Sequence, residues 1–249
     1  MADKNYLHTA YANSTDGTDG FTTVYPNLNV WKNTKEQTYT STGTTLNISP
    51  RFYKLDEKPD NMIGKPATVA FDYEIINSTG VWSGQFRPTY YFTGNGIPVS
   101  NTQLNGSIKQ LVPNVTSTFV TNTTYAIAMT GIPAGIGVIV KNLKVEIGST
   151  ATPWMPSSSE VTTADWPKYV GTYVDTNPAS STDPNKYDWD EMKYRVYLDG
   201  IPVGGSSLLS FDLENLKAGT TYNVQVNQIN GNDESDKSES VAFKTTLTK

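Results

Sequence analysis

Residues 68–75 read TVAFDYEI, a run in which apolar and polar side chains alternate. Successive side chains of a β-strand point to opposite faces, so this run sends one set inward and leaves Asp72 and Glu74 outward. The inward set is Val69, Phe71, Tyr73 and Ile75. Similar runs, separated by clusters of Asn, Gly, Pro, Ser and Thr, occur at 86–92, 124–130, 142–147, 193–198, 208–213 and 221–226. Since no window carries a 3.6-residue apolar stripe, the sequence predicts an all-β protein of sandwiches or barrels.

Composition narrows the classes of function. The 249 residues are 37% hydrophobic and 17% charged, which is enough to build the cores of two or three modules. The 19 basic residues form no cluster and are outnumbered by 24 acidic ones, so no nucleic-acid partner is expected. With no cysteine and His8 as the single histidine, the sequence predicts no cofactor, no metal site and no catalytic residues. No apolar run approaches a membrane span and the start, MADKNYLHTA, lacks a secretion signal, so we expect no membrane partner.

Two shifts in composition suggest module boundaries. The strand pattern stops in the Pro, Ser and Thr-rich stretch 149–167 and again in the turn-rich stretch 175–189. We therefore predict a β-sandwich at 27–156, inserted in a small β connector whose halves are 1–26 and 157–192, and a further module at 193–249. Insertion at an exposed loop is tolerated when the ends of the inserted domain lie close together.

The outward side chains of three runs predict one polar face. If the runs share a sheet, its outer face is a floor of Ala126, Ala128 and Thr130, rimmed by polar groups and a tyrosine, with a tryptophan in the adjacent turn. Such a surface suits saccharide, because aromatic rings stack on sugar rings and fixed polar groups bond their hydroxyls. The candidate stacking residues are Trp82 and Tyr91, and the candidate hydrogen-bonding residues are Arg87, Gln85, Asp72 and Glu74.

Other interpretations of these residues stay open. The face is equally typical of an ordinary solvated sheet, with Trp82 capping the core from its loop. Asp72 and Glu74 lie two apart on one strand face, so their carboxyls could reach the roughly 5–9.5 Å separations that glycoside hydrolases use. A Ser-His-Asp triad would require His8, which the pattern places in the connector, away from the groove.

The end of the predicted sandwich, residues 123–156, resembles the last strands of jelly-roll carbohydrate-binding modules in phage tail and baseplate proteins. The matching residues are Lys144, Glu146, Gly148, Thr152, Trp154 and Pro156. The resemblance implies a sandwich that recognises saccharide, with Trp154 as a structural plug.

The two connector halves resemble segments of tail proteins from phages of lactococci, streptococci and lactobacilli. The matching residues are Tyr11, Asp16, Gly17 and Phe21 in the first half, and Tyr169, Gly171, Tyr173, Asp183, Pro184, Tyr187 and Trp189 in the second. The loop from Asp16 to Gly20 lacks the ligand spacing of a calcium-binding EF-hand, which favours a glycine turn.

Residues 193–246 resemble the second half of a fibronectin type III domain. Leu216, Gly219, Thr220 and Tyr222 match its tyrosine corner, in which the tyrosine hydroxyl bonds a backbone group a few residues upstream. Ala218 replaces the family's usual proline, and a complete domain of about 100 residues would need earlier strands. The segment 169–174 and Trp189 are candidates for those strands, in which case connector and C-terminal module form one unit.

Together the resemblances imply a non-enzymatic accessory protein of a phage tail or baseplate, similar to those of lactococcal phages. It would be made in the host cytoplasm and act in the virion at the host surface. The implied partners are host cell-wall polysaccharide and other tail or baseplate proteins. A purely structural decoration or docking module and a cell-wall glycoside hydrolase remain the alternatives.

Overall fold

The computed structural model describes residues 4–43, 47–48, 53–56, 62–88, 96–117, 124–125 and 127–246. Over these residues the chain is all-β, as predicted, and every pair of strands within a sheet is antiparallel. The strands are β1 (Tyr6–Ala12), β2 (Phe21–Thr22), β3 (Trp31–Lys32), β4 (Glu36–Thr40), β5 (Asn47–Ile48), β6 (Tyr53–Leu55), β7 (Ala67–Ile76), β8 (Ser83–Arg87), β9 (Ile97–Ser100), β10 (Asn105–Val112), β11 (Thr124–Tyr125), β12 (Ala128–Thr130), β13 (Gly137–Ile147), β14 (Tyr169–Asp175), β15 (Asp188–Glu191), β16 (Tyr194–Leu198), β17 (Ile201–Ser206), β18 (Thr221–Asn230), β19 (Asp233–Glu234) and β20 (Val241–Lys244). The part of the chain that the structure describes contains no helix long and apolar enough to cross a membrane.

The chain divides into two compact units, 28–161 and the pair 1–27 with 162–249. We call the first the central unit and the second the discontinuous unit. The four-part division predicted from the sequence, with a separate connector and C-terminal module, stays a prediction.

The central unit is a sandwich around one apolar core. Its main sheets have the strand orders β10-β7-β13-β4 and β5-β12-β8-β9, and the short strands β11-β6-β3 form a third sheet. Phe86 of β8 packs on Phe71 and Tyr73 of β7, with ring centroids 5.8 and 5.0 Å apart, so the apolar faces of the two main sheets meet. The inward side chains predicted for residues 68–75 are all buried, because alternation along β7 sends each of them to this core.

The discontinuous unit contains two sheets. One has the order β15-β14-β1-β2, and the other has the order β17-β16-β18-β19 with β20 also paired to β18. The tyrosine-corner hydrogen bond is present, since the Tyr222 hydroxyl accepts from the Lys217 backbone N–H at 2.9 Å. A fibronectin type III fold for 193–249 nevertheless remains a prediction, as does a jelly roll for the central unit.

One predicted strand is absent. The alternating residues 208–213 lie between β17 and β18 and pair with no strand in the described chain. Alternating side chains are not enough to form a strand, because a strand also needs backbone hydrogen bonds to a neighbouring strand, and this segment has none within the described chain.

Candidate functional site

The predicted saccharide-binding residues do not share one sheet. Asp72 and Glu74 lie on β7, whereas Gln85 and Arg87 lie on β8 of the other main sheet. Because Phe86 points into the core between the sheets, its neighbours Gln85 and Arg87 point out of the opposite side of the sandwich from Asp72 and Glu74. The expectation of a single polar face is therefore wrong, and the four residues form two separate pairs.

We call the first surface the Arg87 face, defined by Gln85 and Arg87 of β8 with Ala128 and Thr130 of β12. Arg87 lies opposite Ala128, and Gln85 opposite Thr130. Gln85 is exposed, Arg87 and Thr130 are half-buried, and Ala128 is buried. Ala128 was predicted as part of an exposed floor and is covered instead, while Ala126 lies outside the described residues. What the face offers to a sugar is a guanidinium, an amide and the Thr130 hydroxyl, all groups that can hydrogen-bond it.

The amide of Gln85 lies against a glycine. A Cβ built on Gly96 would collide with the Gln85 side chain, including its Cδ atom at 2.7 Å. Gly96, the residue just before β9, can therefore lie close to this side chain because it has no Cβ.

We call the second surface the Asp72 face, formed by β7 with its neighbours β10 and β13. The Asp72 carboxylate accepts hydrogen bonds from Ser107 Oγ at 2.5 Å and Asn142 Nδ2 at 3.1 Å. Lys141 Nζ donates to Glu74 Oε2 at 2.8 Å, and this contact raises the pKa of Lys141. Both carboxylates thus have protein partners, so a sugar bound here would compete with contacts that hold the strands together.

The two candidate stacking residues have different outcomes. Trp82 is only 7% exposed, and its indole N–H donates to Ser78 Oγ at 3.0 Å. Its backbone N–H donates to Asn101 Oδ1 at 3.2 Å. Trp82 therefore caps the core, and its ring is not offered to a sugar, which corrects its assignment as a stacking platform. Tyr91 lies outside the described residues.

The Lys-x-Glu motif near the end of the central unit forms a buried ionic cluster. Lys144 and Glu146 are each 1% exposed, with Nζ and Oε2 3.4 Å apart. Both side chains bond to Thr152. Lys144 Nζ donates to the Thr152 hydroxyl at 2.5 Å, and the backbone N–H and hydroxyl of Thr152 donate to the Glu146 carboxylate at 2.7 and 2.6 Å. Burial lowers the pKa of Lys144 to about 8. This cluster, which we call the Lys144 latch, holds the irregular segment after Gly148 against β13.

Trp154, two residues after the latch, is also held by the protein. Its indole N–H donates to Thr34 Oγ1 at 3.1 Å, and Lys35 Nζ lies 4.2 Å above its ring. These contacts agree with the structural role that the resemblance implies for Trp154.

His8 lies beside a serine and an aspartate, the two partners of a catalytic triad. They are 172 and 167 residues away in the sequence, so the sequence did not predict this arrangement. Its Nε2 lies 3.1 Å from Asp175 Oδ1 and 2.9 Å from the Asn177 carbonyl, and its Nδ1 lies 3.2 Å from Ser180 Oγ. The amides on either side of Ser180 are occupied, because Ala179 N–H donates to Asn177 Oδ1 and Ser181 N–H to the Tyr173 hydroxyl. Acyl transfer needs free donors for the oxyanion next to the nucleophile. The geometry therefore supports a structural role, in which the hydrogen bonds of His8 hold the loop after β14 in place.

The loop at Asp16 is a closed glycine turn, as predicted. Asp16 Oδ1 accepts from Thr18 N–H at 3.1 Å and from its hydroxyl at 2.7 Å, while Ser14 Oγ donates to Asp19 at 2.5 Å. Gly17 has φ +69°, the left-handed conformation that glycine adopts without strain.

Comparison with known proteins gives the family. The family model described as "Minor structural protein 5-like, C-terminal domain" (BppU-like) matches residues 167–225, within the discontinuous unit. A search of curated proteins found no match. A solved structure of the tripod (BppUct-A-L) from the baseplate of bacteriophage Tuc2009 contains a chain 47% identical to this one, with 100% of both chains covered and a TM-score of 0.78. The chain belongs to the family of that tripod component and is a structural protein of a phage baseplate.

Proposed function

We propose that this baseplate protein binds host cell-wall saccharide through its central unit, without cleaving it, and associates with other baseplate proteins. The Arg87 face carries the proposal, because a guanidinium, an amide and the half-buried Thr130 side chain lie together on it. Weak single sites suit this role, since many copies in one virion raise the overall avidity.

The two faces suggest different parts for the predicted residues. Arg87 and Gln85 would bond sugar hydroxyls, and Tyr91 stays the predicted stacking residue. Asp72 and Glu74 would stabilise their own sheet through Ser107 and Lys141. A hydrolase needs a carboxyl that is free to give a proton to the sugar, whereas Lys141 Nζ donates to Glu74 at 2.8 Å and Asn142 Nδ2 donates to Asp72 at 3.1 Å.

The opposed faces supply a matched test. We expect Arg87→Ala with Gln85→Ala to weaken binding of the fluorescently labelled protein to intact host cells by at least about tenfold, because a lost hydrogen bond from the charged Arg87 costs about 1.5–3 kcal/mol and one from the neutral Gln85 about 0.5–1.5 kcal/mol. Asp72→Asn with Glu74→Gln changes the opposite face by the same number of polar groups and should bind as the wild type does.

Chemical removal of wall polysaccharide completes the experiment. Wild-type binding should disappear with the polysaccharide, and no new reducing ends should be released from it. Equal losses for both double variants would reject the Arg87 face as the site. Absence of wild-type binding, even with the protein displayed multivalently, would favour a purely architectural module.

A further inference from the structure

The segment between β17 and β18 exposes apolar side chains on an unpaired backbone. We call residues 208–213 the LLSFDL strip. Leu209 is 92% exposed and Leu208 is 65% exposed, while Phe211 and Leu213 are half-buried. Isolated apolar residues are common on protein surfaces, but a contiguous apolar strip marks an interaction site.

The backbone N–H groups of the strip are available for pairing. Within the described chain, the N–H groups of residues 209–213 donate to no protein group, although the preceding Leu208 N–H donates to Ser206 Oγ at 3.0 Å. The Ser210 carbonyl accepts from Ser206 Oγ at 2.9 Å, so the groups left to pair are mainly the N–H donors. A surface segment with unpaired backbone donors is a template for an additional strand.

An apolar groove runs beside the strip. It has a volume of about 330 Å³ and lies between the strip residues Leu208, Phe211 and Leu213 and the sheet residues Val196, Val224 and Val226. Val224 and Val226 are only half-buried, so the strip leaves this face of the sheet incompletely covered. Full burial of one Val or Leu side chain stabilises a complex by about 1.5–3 kcal/mol, and an apolar side chain of a partner inserted in this groove would gain free energy of this size.

The charge around the strip favours a basic partner protein over a second copy of this chain as the occupant. The discontinuous unit has 9 basic and 16 acidic residues, a net charge of −7, whereas the central unit has 10 basic and 8 acidic residues. Asp212 within the strip and Glu214 beside it are exposed. A second copy would bring the same acidic groups against each other, while a partner with Lys or Arg beside its apolar residues would be attracted.

We infer that the LLSFDL strip is the docking site for an extended segment of a different baseplate protein, with apolar residues that enter the groove and basic residues that flank them. This inference rests on the association with baseplate proteins included in the proposed function, and it adds the surface and the chemistry of the partner. Backbone pairing along 209–213 supplies affinity, and the groove selects the side chains.

The test uses baseplate particles from phage that carry a stop codon in the gene for this protein, mixed with the purified full chain. Leu209→Asp should reduce incorporation roughly tenfold or more, because it places a charge at the centre of the apolar contact. Val81→Asp is the matched control, since Val81 is 95% exposed in the central unit, and it should incorporate as the wild type does. Hydrogen exchange of the 209–213 amides should slow at least tenfold on incorporation.

The inference is overturned if Leu209→Asp incorporates normally, if Val81→Asp loses as much, or if the strip amides exchange unchanged. It is also overturned if the free protein sediments as an oligomer that Leu209→Asp dissociates, since the occupant would then be a second copy. Host-cell binding separates this result from saccharide recognition, because Leu209→Asp should still bind cells. If the wild type incorporates into baseplates but binds no cells, saccharide recognition fails and the docking site stands.

Discussion

At the scale of single residues, Gly17 offers a sharp test of local packing. Its φ of +69° disfavours any side chain, and a Cβ there would lie 2.9 Å from Trp189 Cε2. Trp189 is held by a 3.0 Å hydrogen bond from its indole N–H to the Pro184 carbonyl, so it cannot simply swing away. We expect Gly17→Ala to lower the free energy of unfolding by about 2–4 kcal/mol, combining left-handed strain with overpacking.

Gly231 is the control for that measurement. It has a similar φ of +61° in the same unit, but a Cβ there would meet nothing within 4 Å. Gly231→Ala should therefore lower the free energy of unfolding by only about 1–2 kcal/mol, the cost of placing alanine in the left-handed conformation. Urea denaturation followed by tryptophan fluorescence measures both variants, and equal losses would show that Trp189 does not resist the added methyl group.

At the scale of elements, the Lys144 latch predicts a pH dependence of stability. Burial lowers the Lys144 pKa from 10.5 to about 8, so between these values the unfolded chain binds the proton and the folded chain has lost it. Stability rises with pH wherever the unfolded state binds more protons. We therefore expect the wild type to gain up to about 3 kcal/mol between pH 7 and 10.5 relative to a chain without the pair.

The reference chain carries Lys144→Met with Glu146→Gln, which removes both titrating groups and keeps an acceptor for the Thr152 N–H. Urea denaturation of both proteins across this pH range gives the difference in unfolding free energy. A difference that stays flat or falls as the pH rises would contradict a destabilising charge on buried Lys144.

At the scale of the whole molecule, the central unit should fold by itself. The chain enters and leaves it at one place, because Asn29 N–H donates to the Pro156 carbonyl at 3.0 Å and Asn29 forms a parallel bridge with Ser157. The excised fragment 28–161 should show a single cooperative thermal transition and retain the binding of the full chain to host cells.

Asn29→Ala within that fragment is the internal comparison. The Asn29 side chain donates to Thr34 Oγ1 and the Leu143 carbonyl and accepts from the N–H groups of Trp31 and Val145. Its loss should cost at least about 2 kcal/mol, because several buried groups lose their partners together. A fragment that melts without cooperativity even with Asn29 intact would show that the central unit depends on the rest of the chain.

The sequence predicted which side of a strand faces the core, but not which strands are neighbours. Alternation correctly placed Val69, Phe71 and Ile75 inside, since a period of two is a local property of the chain. Sheet membership depends on long-range pairing, so the separation of Asp72 from Arg87 was hidden. Trp82 lies outside any strand, where alternation gives no direction, and its burial follows from tertiary packing alone.

The discontinuous unit has a consequence for synthesis on the ribosome. Strand β1 emerges first, yet its partner β14, paired from Tyr6 with Asp175 to Ala12 with Tyr169, is translated only after the whole central unit. Closing so long a loop in an unstructured chain costs entropy that grows with its length. A central unit that folds first brings its two ends together and so shortens the effective loop. Mutations that slow folding of the central unit should therefore delay the pairing of β1 with β14. Strand β1 is translated before the central unit but reaches its paired position only after the central unit has folded.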